Sequence, residues 1–233
     1  MMNEIDRIKE VYAKRQSSGK NSLYSPFNPA SLFESHLREK ALLHDLKRYG
    51  FNDLSEANIL DIGCGTGSLL RDFIRYGASP ENLYGIDLLQ ERIDIARRLS
   101  PQIHLDVGDA SKLSYTDESF LIVMQYVVFS SILEAKMRRD IAREMMRVLR
   151  PDGVIIWLDF HMNNPRNRDV TGIKKKDIYN LFPHCSIHLT RLNLAPPLIR
   201  AIIPHSWFTC YWLERLKIFN THYLGIIRKK SPE

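Results

Sequence analysis

Cysteine is scarce: Cys64, Cys185 and Cys210 are the only three in 233 residues, an odd number, far apart and without a C-x-x-C pair. Neither a disulfide framework nor a zinc site follows from them, and no metal site is expected. Long apolar runs are missing too. No early stretch has the form of a signal peptide, and none approaches the roughly 18 uninterrupted apolar residues of a membrane span, so a cytoplasmic protein is expected. Internal repeats and low-complexity tracts are absent. The dinucleotide fingerprint G-x-G-x-x-G is not met either, because from Gly63 and Gly65 it requires glycine at position 68, which is Ser68.

What is present is an ordinary globular composition, 44% hydrophobic and 26% charged, long enough for one α/β domain with decorations. The net charge of +6 is unevenly placed. Residues 161–233 hold 12 Lys or Arg and 4 Asp or Glu, a net +8, against 21 and 23, a net −2, for residues 1–160. A basic region suits nucleic acid, anionic lipid or an acidic substrate, and equally a solvated face.

The chain turns on Ile59, Leu60, Asp61 and Ile62 followed by Gly63, Cys64, Gly65, Thr66 and Gly67, an apolar run ending in three alternate glycines. This spacing predicts a buried strand that turns sharply into a helix starting near Ser68, with Leu69, Leu70, Phe73 and Ile74 at helical spacing. Ahead of it, Ile5, Ile8, Val11 and Tyr12 mark a short helix. Tyr24, Pro26, Phe27 and Pro29 mark an irregular segment, and 31–49 a long helix capped by Ser31 with Glu34 in the capping-box position. Downstream, strands at 83–88, 103–107, 120–128 and 154–160 alternate with helices at 90–99 and 134–149, the signature of a parallel sheet with crossovers. Further strands at 187–194 and 221–229 bracket an apolar, aromatic insertion at about 195–219, which suggests a closing antiparallel hairpin. The domain expectation is an N-terminal helical arm or cap at 1–50 and one domain at 51–233.

An acid two residues before G-x-G-x-G resembles motif I of the class I S-adenosyl-L-methionine (SAM) dependent methyltransferases. Two further features extend the resemblance over about 55–160: aspartates at or near the ends of the next two strands, Asp87 and Asp109, and the run Arg147, Val148, Leu149, Arg150, Pro151, Asp152, Gly153, close to the family's L-[KR]-P-G-G breaker. Leu121 stands where the family usually has aspartate. The resemblance implies a Rossmann-like, seven-stranded, mostly parallel sheet with helices on both faces and a C-terminal antiparallel hairpin. It further implies SAM bound by Asp61, Gly63, Cys64, Gly65, Gly67, Asp87, Leu88, Asp109, Ala110 and Gln125. Asp87 would accept from the ribose hydroxyls, Asp109 and the Ala110 N–H would face adenine, and Asp61 would sit near the positive methionine end.

Family members that methylate exocyclic amines carry an Asn/Asp-Pro-Pro-aromatic tetrad after strand four; here Gln125, Tyr126, Val127 and Val128 take that place. The closest likeness is therefore to the broad type 11 small-molecule methyltransferases, with a small-molecule, glycan or glycolipid acceptor methylated at oxygen. An RNA methyltransferase using the basic C-terminal third and a non-catalytic SAM-binding scaffold are the alternatives. A hydroxyl acceptor needs a base, for which His161, Tyr126 and Asp159 are the candidates without one being singled out. Tyr24, Asn163, Asn164, Arg166 and Arg168 are the expected acceptor-pocket residues, on opposite walls. Peripheral membrane contact and oligomeric state stay open.

Overall fold

The structure, a computed structural model, describes residues 3–17, 25–164 and 167–230. Tyr24 and Arg166 lie outside the described residues. Seven strands form one sheet in the order β3-β2-β1-β4-β5-β7-β6. They are β1 (Ile59–Ile62), β2 (Leu83–Asp87), β3 (His104–Val107), β4 (Phe120–Tyr126), β5 (Leu149–Phe160), β6 (Cys185–Leu194) and β7 (Asn220–Lys229). The first five are parallel, and β7 runs antiparallel between β5 and β6.

Both faces are covered, which is why the central strands read as continuous apolar runs rather than alternating ones. On one face lie α2 (Pro29–Arg48), α3 (Ser68–Arg75), α4 (Gln90–Leu99), α7 (Pro196–Ile202) and α8 (Trp207–Arg215). Phe33, Leu37, Leu42 and Leu46 of α2 pack there with Ile59, Ile122, Met124 and Ile156. On the other lie α1 (Glu4–Ser17), α5 (Ala135–Val148) and α6 (Lys175–Leu181). Met137, Ile141, Met145 and Val148 of α5 repeat at helical spacing and meet Leu60, Val123, Ile155 and Trp157. The 1–50 segment thus divides between the two faces.

Several boundaries differ from the sequence expectation for local reasons. Asn28, not Ser31, caps α2: its Oδ1 accepts from Ala30 N–H at 3.0 Å, and Pro29 takes the first helical position, where a missing N–H costs nothing. Gly67, not Ser68, is the cap of α3, in the left-handed region at φ 74°. β4 ends at Tyr126 because Val127 adopts φ 58°, and β5 begins five residues early, at Leu149, which pairs with Phe120.

The β3–β4 connection carries no helix and is held by one side chain. Arg147 of α5 donates to the carbonyls of Leu113 (3.0 Å) and Tyr115 (2.8 Å) while gripping Glu144 and Asp117, and Glu144 in turn accepts from Leu113 N–H at 2.9 Å. Arg147→Met should leave the Leu113 and Tyr115 carbonyls unpaired at a part-buried site and strip Glu144 of its cation. Urea unfolding should show a loss of roughly 1–3 kcal/mol.

Candidate cofactor and acceptor site

The parallel strands point their carboxyl ends at one rim, the place where open α/β sheets take ligands. β1 delivers the glycine loop there. Gly63, Gly65 and Gly67 sit at φ 69°, 56° and 74°, conformations that other residues adopt only with strain. At Gly63 the demand is also steric, since a Cβ would lie 2.5 Å from Val128 Cγ2. Cys64 turns inward instead: its Sγ packs over Gly85, and burial pushes its thiol well up, so it is a filler and no nucleophile.

Asp87 ends β2 and is buried. Its Oδ2 accepts from Gly65 N–H and its Oδ1 from Leu89 N–H, both at 2.9 Å, and its carbonyl accepts from Gly108 N–H at 3.0 Å. Asp109 follows β3 in a turn in which Ser111 donates through N–H (2.8 Å) and Oγ (2.7 Å) to its carboxylate; Ala110 is buried behind it and Leu88 packs half-buried on the α5 side. Asp61 is the unusual group. It is 3% exposed in mid-strand, no protein donor reaches its carboxylate among the described residues, and burial, with the charge of Asp87 adding to it, raises its pKa well above the carboxylate range. A buried acid with no donor fits a positively charged ligand group, and SAM carries two.

At the ends of β4 and β5 the expected residues divide. Gln125 is fully buried with its carboxamide used at both ends: Oε1 accepts from Val128 N–H (3.0 Å) and Nε2 donates to the Leu158 carbonyl (3.3 Å). It pins the left-handed Val127 and seats Val128 against Gly63, so its side chain shapes the loop, with one N–H and one lone pair of the carboxamide left over. Asp159 is likewise engaged. Its carboxylate, raised by burial to about 6, accepts from Ser130 N–H (3.0 Å) and Phe160 N–H (2.8 Å). Tyr126 has its phenol pushed up by burial and by Asp61, with Arg38 of α2 acting the other way. His161, just past β5, donates from Nε2 to the Asn220 carbonyl at 2.8 Å and stacks on Tyr223, and burial lowers its pKa. It is therefore neutral at pH 7, with Nδ1 unprotonated.

Of the expected acceptor wall, Asn163 lies beside α5 and α6. Asn163 Oδ1 accepts from Gly172 N–H at 2.8 Å, Asn164 is exposed, and Arg168 is exposed next to Asp169. Asn163 lines a separate polar cleft of about 420 Å³ with Arg138, Arg139 and Lys174.

Three contributors were not foreseen from the sequence. Arg38 reaches from α2 toward Tyr126 and His222 at the strand ends; His222, stacked on Phe160, is held neutral by burial, down to about 3. The third is α1. Its Arg7 donates to the Ser131 carbonyl (2.6 Å), its Tyr12 hydroxyl lies 3.3 Å from Ser131 Oγ, and its Tyr12 ring lies under Arg92, whose Nη1 stands 3.5 Å from where a Gly65 Cβ would be. Only basic residues on inward helix positions hinted at Arg38, and nothing local hinted at α1.

Because the folded pKa of Asp61 lies above its unfolded value, the native state keeps a proton that the unfolded chain releases as pH rises past about 4. Stability of the ligand-free protein is thus lowered from there up through neutral pH. Asp61→Asn should raise the ligand-free Tm at pH 7, with the difference vanishing near pH 3, while weakening SAM binding in calorimetry. A variant less stable at pH 7 that binds SAM as well as the wild type would contradict this account.

Residues 59–153 match the family model described as a methyltransferase domain. The demethylmenaquinone methyltransferase of Lactobacillus johnsonii is 31% identical over 131 residues, 54% of this chain and 51% of that one. The ubiquinone biosynthesis O-methyltransferase of Bartonella bacilliformis is 27% identical over 159 residues, 66% of this chain and 61% of that one. The chain thus spans about half to three fifths of the length of these relatives. Among solved structures, a SAM-dependent methyltransferase from Methanosarcina mazei superposes with a TM-score of 0.56 at 18% identity, covering 82% of this chain and 98% of that one, a likeness of fold. The glycine loop and the three aspartates all fall inside the matched span, so residues 59–153 carry the likeness to a methyltransferase domain, and the seven-stranded fold around them is that of the class I SAM-dependent methyltransferases.

Proposed function

We propose that the protein is an active methyltransferase that moves the methyl group of SAM to a hydroxyl oxygen of a small or lipid-linked acceptor. The observation that carries this reading is the buried Asp61 carboxylate, without a protein donor, framed by the left-handed glycine loop and by Asp87. The two relatives support the acceptor class, since one is named for a demethylated menaquinone and the other for ubiquinone biosynthesis and O-methylation.

SAM supplies a methyl group already activated by its sulfonium, so the chain's task is to orient the acceptor and exclude water. Asp61 and the loop N–H groups hold the methionine end. Asp87 takes the ribose hydroxyls on the lone pairs its two N–H partners leave free, and the Asp109–Ala110 turn takes adenine. At the acceptor side, His161 is the group that can take up a hydroxyl proton, at Nδ1, with the Asn220 carbonyl holding the tautomer. Asp159, already holding two N–H groups, and Tyr126, whose phenol is pushed up by burial, suit that role less well.

Two measurements test this. Asp87→Ala removes two hydrogen bonds to a charged acceptor, roughly 1.5–3 kcal/mol each, and should weaken SAM binding about a hundredfold or more; unchanged affinity would sink the cofactor assignment. For the base, wild-type kcat/KM should fall as pH drops through a pKa below the ordinary histidine value. His161→Asn should lower kcat, abolish that limb and leave SAM affinity intact. A full acid limb in the variant would remove His161 from the mechanism.

A further inference from the structure

α8 is exposed where an aromatic helix is expected to be buried. Cys210 and Glu214 face inward, while Phe208 (75% exposed), Trp212 (59%) and Leu216 (44%) form an outward stripe at i, i+4, i+8, continued by Ile218 (68%). With Tyr211 and Arg215 the stripe lines a shallow depression of about 510 Å³. Such an apolar surface on a charged protein marks a docking site, and its surroundings name what docks.

The only carboxylate between 195 and 219 is Glu214, which is buried and bonded to Lys217 (2.6 Å) and Asn220 (2.9 Å). The aromatic stripe is therefore flanked by Arg215 and Lys217 with no exposed acid on that segment. α2 continues the pattern. Its outward positions His36, Lys40, Leu43, His44 and Lys47 form one helical stripe of basic and apolar residues, again without an exposed acid, and Lys40 joins the two helices by donating to the Tyr211 hydroxyl at 3.0 Å and lying over its ring. Beneath them, buried Phe33 of α2 meets Trp207 edge-on and holds the two helices together, and the Lys40–Tyr211 contact joins their outward sides. Tryptophan and phenylalanine beside lysine and arginine, with carboxylates withdrawn, are complementary to an anionic lipid surface, where the rings enter the headgroup boundary and the cations meet the phosphates.

We propose that the α2–α8 face docks the protein onto an anionic lipid bilayer. The inference stands on the surface alone and does not depend on the identity of the methyl acceptor. No helix among the described residues is long and apolar enough to cross a membrane, so the contact is with one leaflet.

Tryptophan emission is a direct reporter, because Trp157 is fully buried while Trp207 and Trp212 lie on this face. With the full chain, vesicles of phosphatidylcholine plus phosphatidylglycerol should shift the emission to the blue and co-sediment the protein, and vesicles of phosphatidylcholine alone should do so at least tenfold less well. Added salt should weaken the binding. Phe208→Glu with Trp212→Glu should abolish sedimentation, and Lys40→Gln should weaken it roughly fivefold, while both variants keep wild-type SAM affinity as proof of folding. Equal affinity for the two vesicle types, or sedimentation unaffected by the double variant, would overturn the proposal. So would a wild type that ignores both vesicle types and forms a dimer that the double variant dissociates.

Discussion

The Asp87 side chain and backbone together hold three segments in register, and the cofactor end of the molecule depends on that grip. One carboxylate oxygen takes Gly65 N–H, the other takes Leu89 N–H, and the carbonyl takes Gly108 N–H. The loop after β1, the start of α4 and the exit from β3 are thus tied to one residue at the end of β2. Because a carboxylate offers about four acceptor sites, two are still open toward a ligand. The same atoms that order the loop can then sense whether a ligand is there.

Local rules of structure are broken at this rim more than elsewhere. Asp61 is a buried acid without a donor and Asn193, at φ 60°, a fully buried amide without a side-chain partner at either end among the described residues, and Val127 is a β-branched residue at φ 58°. Each costs on the order of 1–3 kcal/mol. β6 and β7 are antiparallel to one another, which brings Asn193 and Asn220 to the same end of the sheet as the exits of β4 and β5. The apolar layers behind, with Leu60, Ile62, Ile122, Val123 and Met124 wholly buried, supply the stability that lets the rim deviate.

What the sequence made legible was whatever chain geometry imposes locally. Three glycines at alternate positions marked a sharp strand-to-helix turn, and apolar runs with Asp61, Asp87 and Asp109 at or near their ends located the strands, so the sheet could be read before any fold was seen, while the cofactor roles of those residues came from the resemblance alone. The surroundings of the β4 and β5 exits could not be read, because they are assembled over long separations: the charge of Arg38 acts on Tyr126 and His222, and His161 bonds the Asn220 carbonyl. Gln125 was legible as a residue at the right place but not in its role, since its partners, Val128 N–H and the Leu158 carbonyl, appear only once β4 and β5 are paired. Periodicity also could not tell whether the rings of 207–212 face the core or solvent, because a helix with aromatics on nearly every side fits both; the buried Glu214 decides it.

The N-terminal helix is the element whose attachment differs in kind from the rest. α1 has one buried hydrophobic residue, Ile8, and otherwise holds on through polar groups: Glu4 accepts from Leu133 and Glu134 N–H, Arg7 bridges Glu4 and the Ser131 carbonyl, and Tyr12 touches Ser131 and Arg92. Burial alone would raise the Glu4 carboxyl, yet Arg7 and those N–H groups hold it below its usual value, so the anchor is ionised at neutral pH. Part-buried polar contacts of this sort contribute about 1 kcal/mol each, whereas α5 buries five side chains between Met137 and Val148. Of the two, α1 opens at the lower cost. It spans from the residues after β4, on the acceptor side, to Arg92 beside the glycine loop, on the cofactor side. A helix held mainly by polar contacts is therefore the one that touches both the segment after β4 and Arg92 beside the glycine loop.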